Sequence, residues 1–155
     1  MIRHSKPTLD NFDYDKVNLQ LKSKMIASGD INLKFTIKLS DYLLKSKVSL
    51  FSSASSGLFH ILKVLDLRNK NDVLLPNYIC ESVIKSILLA GLNPILYDNE
   101  PNSWNSNSDI IKKSITKKTG AIIINHTFGI MFNEIKKLVK TNIPIIEDCC
   151  HVLSP

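Results

Sequence analysis

The stretch "DVLLPNYICESVIKSILLAGLNPILYD", residues 72–98, decides the fold class. "DVLLP" (72–76) is a short, continuously apolar run, the pattern of a strand covered on both faces. "CESVIKSILLAG" (80–91) changes period: its apolar residues recur at helical spacing, and Gly91 closes the helix where a positive φ is needed. "NPILYD" (93–98) returns to a strand. Two such strands joined through a helix form a βαβ unit, and the unit predicts parallel pairing.

The same alternation extends in both directions. Upstream, "KVSLF" (47–51) reads as a strand, followed by the small-residue turn "SSASSG" (52–57) and the helical run "LFHILKVLDL" (58–67). Downstream, the polar loop "NEPNSWNSNS" leads into "DIIKKSI", with Ser108 placed as the N-cap. "GAIIIN" (120–125) is a fourth strand, "FNEIKKLVK" a helix and "IPIIED" (143–148) a fifth strand. The fold class is α/β: three layers, with a mostly parallel sheet between flanking helices. A polar leader occupies residues 1–26, and the domain proper runs from 27 to 155.

Bulk properties narrow the function classes. The 155 residues, 44% hydrophobic and 22% charged, suit one domain with a real core. No apolar run approaches the roughly 20 residues that cross a bilayer, and the N-terminus has no apolar secretory core. A cytoplasmic protein without a membrane partner is expected. The net charge of +6 comes from lysines scattered singly or in pairs, not from a basic stripe interleaved with aromatics, so no nucleic-acid partner is expected. Cys80, Cys149 and Cys150 form no CxxC and no metal spacing, and are expected to be buried free thiols.

In open α/β sheets, ligands sit beyond the carboxyl ends of the strands. "SSASSG" there is a strand end, a run of serines and a helix N-terminus. Free N–H groups and small side chains make that an anion cradle, with Ser55 and Ser56 adding hydroxyls; a serine-rich cap without a ligand is the bland alternative. "IIED" brings Asp148 to the end of a buried strand, where an unpartnered carboxylate loses hydration. A ligand with a protonated ring nitrogen relieves that cost, while the bland alternative is that Glu147 or Asp148 caps the next helix. Phosphate cradle and carboxylate together fit pyridoxal 5'-phosphate.

With these segments in order, the sequence resembles the nucleotide-sugar aminotransferases of the DegT/DnrJ/StrS group, which are fold-type I pyridoxal-phosphate enzymes. The resemblance runs from "ASGDI" at residue 27 to the last residue. "SASSGLFH" looks like the group's cofactor-phosphate turn, and residues 72–98 match its run from second to third strand without a gap. "SWNSNSDIIKKSITKKTGAIIINHTFG" resembles the next block, and "IPIIEDCCHVLSP" resembles the "IEDAAHA" signature.

The resemblance implies site residues. Ser55 and Ser56 would hold the phosphate, Asp148 would pair with the pyridine nitrogen, and His151 would lie near the ring's phenolic oxygen. Cys80 stands where an aromatic commonly stacks on the ring. Cys150 replaces a small residue packed under the cofactor, and Ala54 replaces the usual glycine of the phosphate turn. A nucleotide-linked keto-sugar substrate, glutamate as amino donor and a homodimer are implied as well.

The group's members carry the cofactor on a lysine that lies beyond the Asp motif, and no lysine here occupies that position. The chain is therefore expected to be the N-terminal part of the large domain, with no catalytic residue of its own and no activity alone. In that fold the first strand is separated from the fifth by strands that come later, so "KVSLF" would lack its sheet neighbour. Two other readings stay open. One is a non-catalytic cofactor-binding or dimerisation module of the same fold. The other is an α/β enzyme using Cys149 or Cys150 with His151 as nucleophile and base, which adjacent positions fit poorly.

Overall fold

A computed structural model describes residues 7–27, 29–44, 47–67 and 69–153. The chain divides into two compact units, Met1–Leu50 and Phe51–Pro155. In the first, helices α1 (Asn11–Lys22) and α2 (Asp30–Tyr42) bury none of their residues. The stretch read as a polar leader therefore contains a helix. Its start is set by a reciprocal cap: the Asp10 carboxylate accepts the Asp13 N–H, and the Asp13 carboxylate accepts the Asp10 N–H, both at 3.1 Å.

The second unit holds helix α3 (Ala54–Val64), strand β1 (Asp72–Pro76), α4 (Glu81–Leu89), β2 (Asn93–Tyr97) and α5 (Ser108–Ser114). Strand β3 (Thr119–Asn125), a 3-10 turn at Thr127–Gly129, α6 (Ile135–Val139) and β4 (Ile145–Asp148) follow. The four strands form one sheet in the order β2-β1-β3-β4, every pair parallel.

Alternation along the strands sorts the core into two layers. Val73, Leu75, Ala121 and Ile123 face one way and pack with Leu62 of α3 and with Val83 and Ile87 of α4. Leu74, Ile122 and Ile124 face the other way and pack with Tyr97, Ile111 of α5, Phe132 and Leu138 of α6. Helices on both faces explain why the central strands are apolar without interruption, and they make the expected three layers.

Several local readings need correction. Residues 47–51 form no strand; a strand exists only as a member of a ladder, and among the described residues this segment has no ladder partner. The "SSASSG" turn is largely the first turn of α3, which begins at Ala54, four residues before the apolar run. The cap of α5 is Asn107, whose side-chain oxygen accepts the N–H groups of Asp109 and Ile110 at 3.1 and 2.9 Å. Ser108 is instead a fully buried first residue whose N–H reaches the Glu134 carboxylate at 2.7 Å.

Candidate functional site

The N-terminus of α3 is built by Ser53, which the sequence reading passed over. Its hydroxyl accepts the Ser56 N–H at 3.1 Å, and its carbonyl accepts the Gly57 N–H at 3.0 Å. The N–H groups of Ala54 and Ser55, the first two residues of the helix, have no hydrogen-bond partner among the described residues, as expected there. Ser55 and Ser56 are half-buried. This end of the helix therefore presents two donors, two hydroxyls and the positive end of its dipole.

Helix α4 packs beside α3, and the Ser86 hydroxyl lies between them, its one proton shared by the Ser82 carbonyl at 2.8 Å and the Ser55 carbonyl at 3.1 Å. Cys80 is the cap residue of α4, and the Ser82 hydroxyl donates to its sulfur at 3.2 Å. Hydrogen bonds from the Ser82 side chain and backbone lower the Cys80 thiol from its usual value, against smaller opposing effects of burial, Asp148 and Glu81. Ser82 is thus a second group that the sequence reading missed.

Strand β4 sends its two carboxylates to opposite faces. Ile146 packs with the α3–α4 layer and Ile145 with the α5–α6 layer. By alternation Asp148 shares the face of α3 and α4, and Glu147 the other. Asp148 is half-buried, its Oδ1 accepts the Cys150 N–H at 3.0 Å, and its carboxylate also takes a hydrogen bond from the Cys150 thiol. Asp148 therefore does cap a turn, yet among the described residues no basic side chain pairs with it. A half-buried carboxylate of that kind suits a ligand that brings a protonated nitrogen.

Glu147 pairs with His126, which is buried just past the end of β3; the Nε2–Oε2 distance is 3.2 Å. The ligand atoms of His126, Glu147 and Cys149 lie within 4.8 Å of one another. The ring's own bonding opposes a metal there. The Phe132 N–H donates to His126 Nδ1 at 3.1 Å, so the ring proton is on Nε2 and points at Glu147. A metal on Nε2 would move that proton to Nδ1, face to face with the Phe132 N–H.

The loop after β3 is held by Asn105, buried, whose amide donates to the Ile130 carbonyl at 2.7 Å and whose oxygen accepts the Thr127 N–H at 3.3 Å. Within it Phe128 adopts a left-handed backbone, φ 53°. His151 accepts the Phe128 N–H on Nδ1 at 3.0 Å and stacks on the Phe128 ring, with centroids 5.8 Å apart and planes 9° apart. Tyr78 and Trp104 complete an aromatic group around Phe128, with centroid separations of 5.2 to 6.1 Å. The "HTFG" and "SWN" segments carried this signal, but only as composition.

The thiols differ from the buried set expected: Cys80 and Cys150 are exposed, and Cys149 is half-buried. All three lie outside the strands: Cys80 caps α4, and Cys149 and Cys150 follow the last residue of β4. Cys150 is pushed up to about 11, first by its hydrogen bond to Asp148 and then by burial and neighbouring charges. Cys149 is raised as well, by burial and then by Glu147 and Asp148. With His151 Nδ1 already bonded to Phe128, neither thiol is set up as a nucleophile with that histidine as base. At pH 8 iodoacetamide is expected to label Cys80 about tenfold or more faster than Cys150, the thiolate fraction outweighing lower intrinsic reactivity. Peptide mapping of the alkylated protein checks this, and equal rates would contradict the hydrogen bonding described for both thiols.

Comparison with known proteins adds to this geometry. The model of the DegT/DnrJ/EryC1/StrS aminotransferase family matches residues 7–154. The chain belongs to this aminotransferase family. It is 27% identical over 131 residues to the dTDP-4-dehydro-2,3,6-trideoxy-D-glucose 4-aminotransferase of Saccharopolyspora spinosa, covering 83% of this chain and 34% of that one. Helicobacter pylori PseC, an aminotransferase involved in the biosynthesis of pseudoaminic acid, superposes with a TM-score of 0.90 at 23% identity, over 97% of this chain and 42% of that one. The PLP-form of Streptococcus pneumoniae Spr1654 does so equally, at 0.90 and 23%, over 97% and 43%. The fold is thus that of a fold-type I aminotransferase, and the chain spans 34% to 43% of the length of these family relatives.

Proposed function

We propose that these residues are the cofactor-seating part of a pyridoxal-phosphate-dependent aminotransferase acting on a nucleotide-linked keto-sugar, with glutamate as amino donor. The observation that carries this reading lies on one face of the sheet. The unspent N-terminus of α3, tied to α4 through Ser86, shares the α3–α4 face with Asp148, a half-buried carboxylate that has no basic partner among the described residues. Those two groups fit the two charged ends of the cofactor. The dTDP-linked sugar named for the Saccharopolyspora relative supports the substrate class.

In this reading the Ala54 and Ser55 N–H groups and the Ser55 and Ser56 hydroxyls bind the phosphate. Asp148 keeps the ring nitrogen protonated, which lets the bound cofactor act as an electron sink. His151 meets the phenolic oxygen, and Cys150 packs close to the ring beside Asp148. Cys80 offers a thiol where an aromatic face would stack, so ring contact on that side is smaller. No residue among the 155 is assigned the role of the covalent lysine, and the part played here is binding and orientation. A homodimer and a cytoplasmic location complete the proposal.

The single tryptophan gives the test. Trp104 lies 5.2 Å from the Phe128 ring, which stacks on His151. Titration with pyridoxal phosphate is expected to quench Trp104 fluorescence saturably and raise the melting temperature. Pyridoxal without the phosphate should do neither at the same concentration. No quenching and no thermal shift with the phosphorylated form would overturn the reading.

A further inference from the structure

We infer that the backbone N–H of Phe128 fixes the tautomer of His151, so that this histidine meets its ligand as a hydrogen-bond donor. A neutral imidazole carries one proton. Nδ1 of His151 accepts the Phe128 N–H at 3.0 Å, so the proton sits on Nε2, and among the described residues nothing else bonds that nitrogen. The arrangement is built, not incidental. Phe128 holds φ 53° and ψ 26°, a region that bulky side chains seldom occupy, and this turns its N–H toward the imidazole. The two rings stack at 5.8 Å with planes 9° apart, which fixes the ring's direction. Gly129 continues the turn at φ 83°, and a Cβ there would touch the His151 carbonyl at 3.6 Å.

The chemical consequence is selectivity for an acceptor. A donor Nε2–H stabilises a phenolate or carbonyl oxygen and rejects a group that can only donate. The identity of that oxygen rests on the cofactor reading above, whereas the tautomer does not. Phe128 is then a positioning residue that acts through His151.

Two measurements separate these levels. In the 15N-labelled protein, long-range proton–nitrogen spectra should show the His151 proton on Nε2. A scalar coupling across the hydrogen bond should link the Phe128 amide to Nδ1. A proton on Nδ1, or no such coupling, overturns the inference whatever binds. The second measurement compares pyridoxal phosphate with 3-deoxypyridoxal phosphate, which lacks the phenolic oxygen. The protein is expected to prefer the former by about tenfold or more. His151→Gln, whose side-chain oxygen can accept from Phe128 while its amide donates, should keep the preference; His151→Leu should lose it. Equal affinity for both compounds removes the donor role. Binding of neither compound overturns the cofactor reading and leaves the tautomer result standing by itself.

Discussion

Gly120→Ala is expected to unfold the second unit at temperatures where the unaltered protein is native. Asp72 pairs with Thr119 and Val73 with Ala121, so Gly120 is an extra residue on β3, a bulge at the start of the central strand. A Cβ built on Gly120 would lie 2.1 Å from the Lys70 carbonyl oxygen, 3.1 Å from its carbon and 3.2 Å from Leu67 Cδ1. The first two are backbone atoms that lead directly into β1, so they cannot rotate away as a side chain would. Overpacking a core that can adjust costs about 1–3 kcal/mol, and a backbone collision sits at or above the top of that range. Against a total of about 5–15 kcal/mol for a domain, this lowers the melting temperature by roughly 10 °C or more. Gly91→Ala is the matched comparison. Gly91 has φ 79° but nothing within 4 Å of a Cβ, so only backbone strain remains, about 1–2 kcal/mol. Thermal denaturation of both variants followed by circular dichroism checks the contrast, and a Gly120→Ala protein that melts with the unaltered one refutes the close approach.

That bulge also marks the limit of what the sequence could tell. Residues 72–98 predicted strand, helix and parallel strand, because burial on both faces leaves a continuous apolar run and a helix leaves a 3.6-residue period. "GAIIIN" showed a strand, but its leading glycine did not show that the Lys70 carbonyl would lie against it. Readings failed where pairing or capping decides the outcome. "KVSLF" has strand composition and no ladder among the described residues. Helix α3 starts at Ala54 because the Ser53 hydroxyl can reach Ser56, which apolar periodicity does not register. Asn107 outcompetes Ser108 as a cap by one position, a difference set by which side chain finds the first free N–H groups.

The candidate site was legible as a set of strand ends and not as an arrangement. Glu147 and Asp148 looked like one acidic pair, yet strand alternation sends Glu147 to His126 and Asp148 to the α3–α4 face. His151 was placed by resemblance beside a ring oxygen, and its bond to the Phe128 N–H is a contact between segments 23 residues apart. Cysteine burial was misjudged because composition cannot tell a strand from the turn or helix cap that follows it.

Asp148→Asn is expected to weaken pyridoxal phosphate binding about 10- to 150-fold while leaving the fold intact. A hydrogen bond to a charged group contributes about 1.5–3 kcal/mol, which converts to that range of dissociation constants. The substitution is informative because Asp148 has two separable tasks. Its Oδ1 accepts the Cys150 N–H at 3.0 Å, and an asparagine carbonyl can do the same, so the turn after β4 is kept. Its charge is lost, and with it the means of holding a ring nitrogen protonated. Cys150 supplies an internal check. Its thiol is held at about 11 chiefly by Asp148, so the variant's Cys150 should titrate lower and alkylate faster. Faster labelling with unchanged melting proves that the charge is gone and the turn survives, before any cofactor is added. If the dissociation constant for pyridoxal phosphate then stays where it was, Asp148 is a turn cap and no more, and the cofactor assignment at this sheet edge fails. If it rises by the expected factor, the carboxylate's charge is what the ring nitrogen requires.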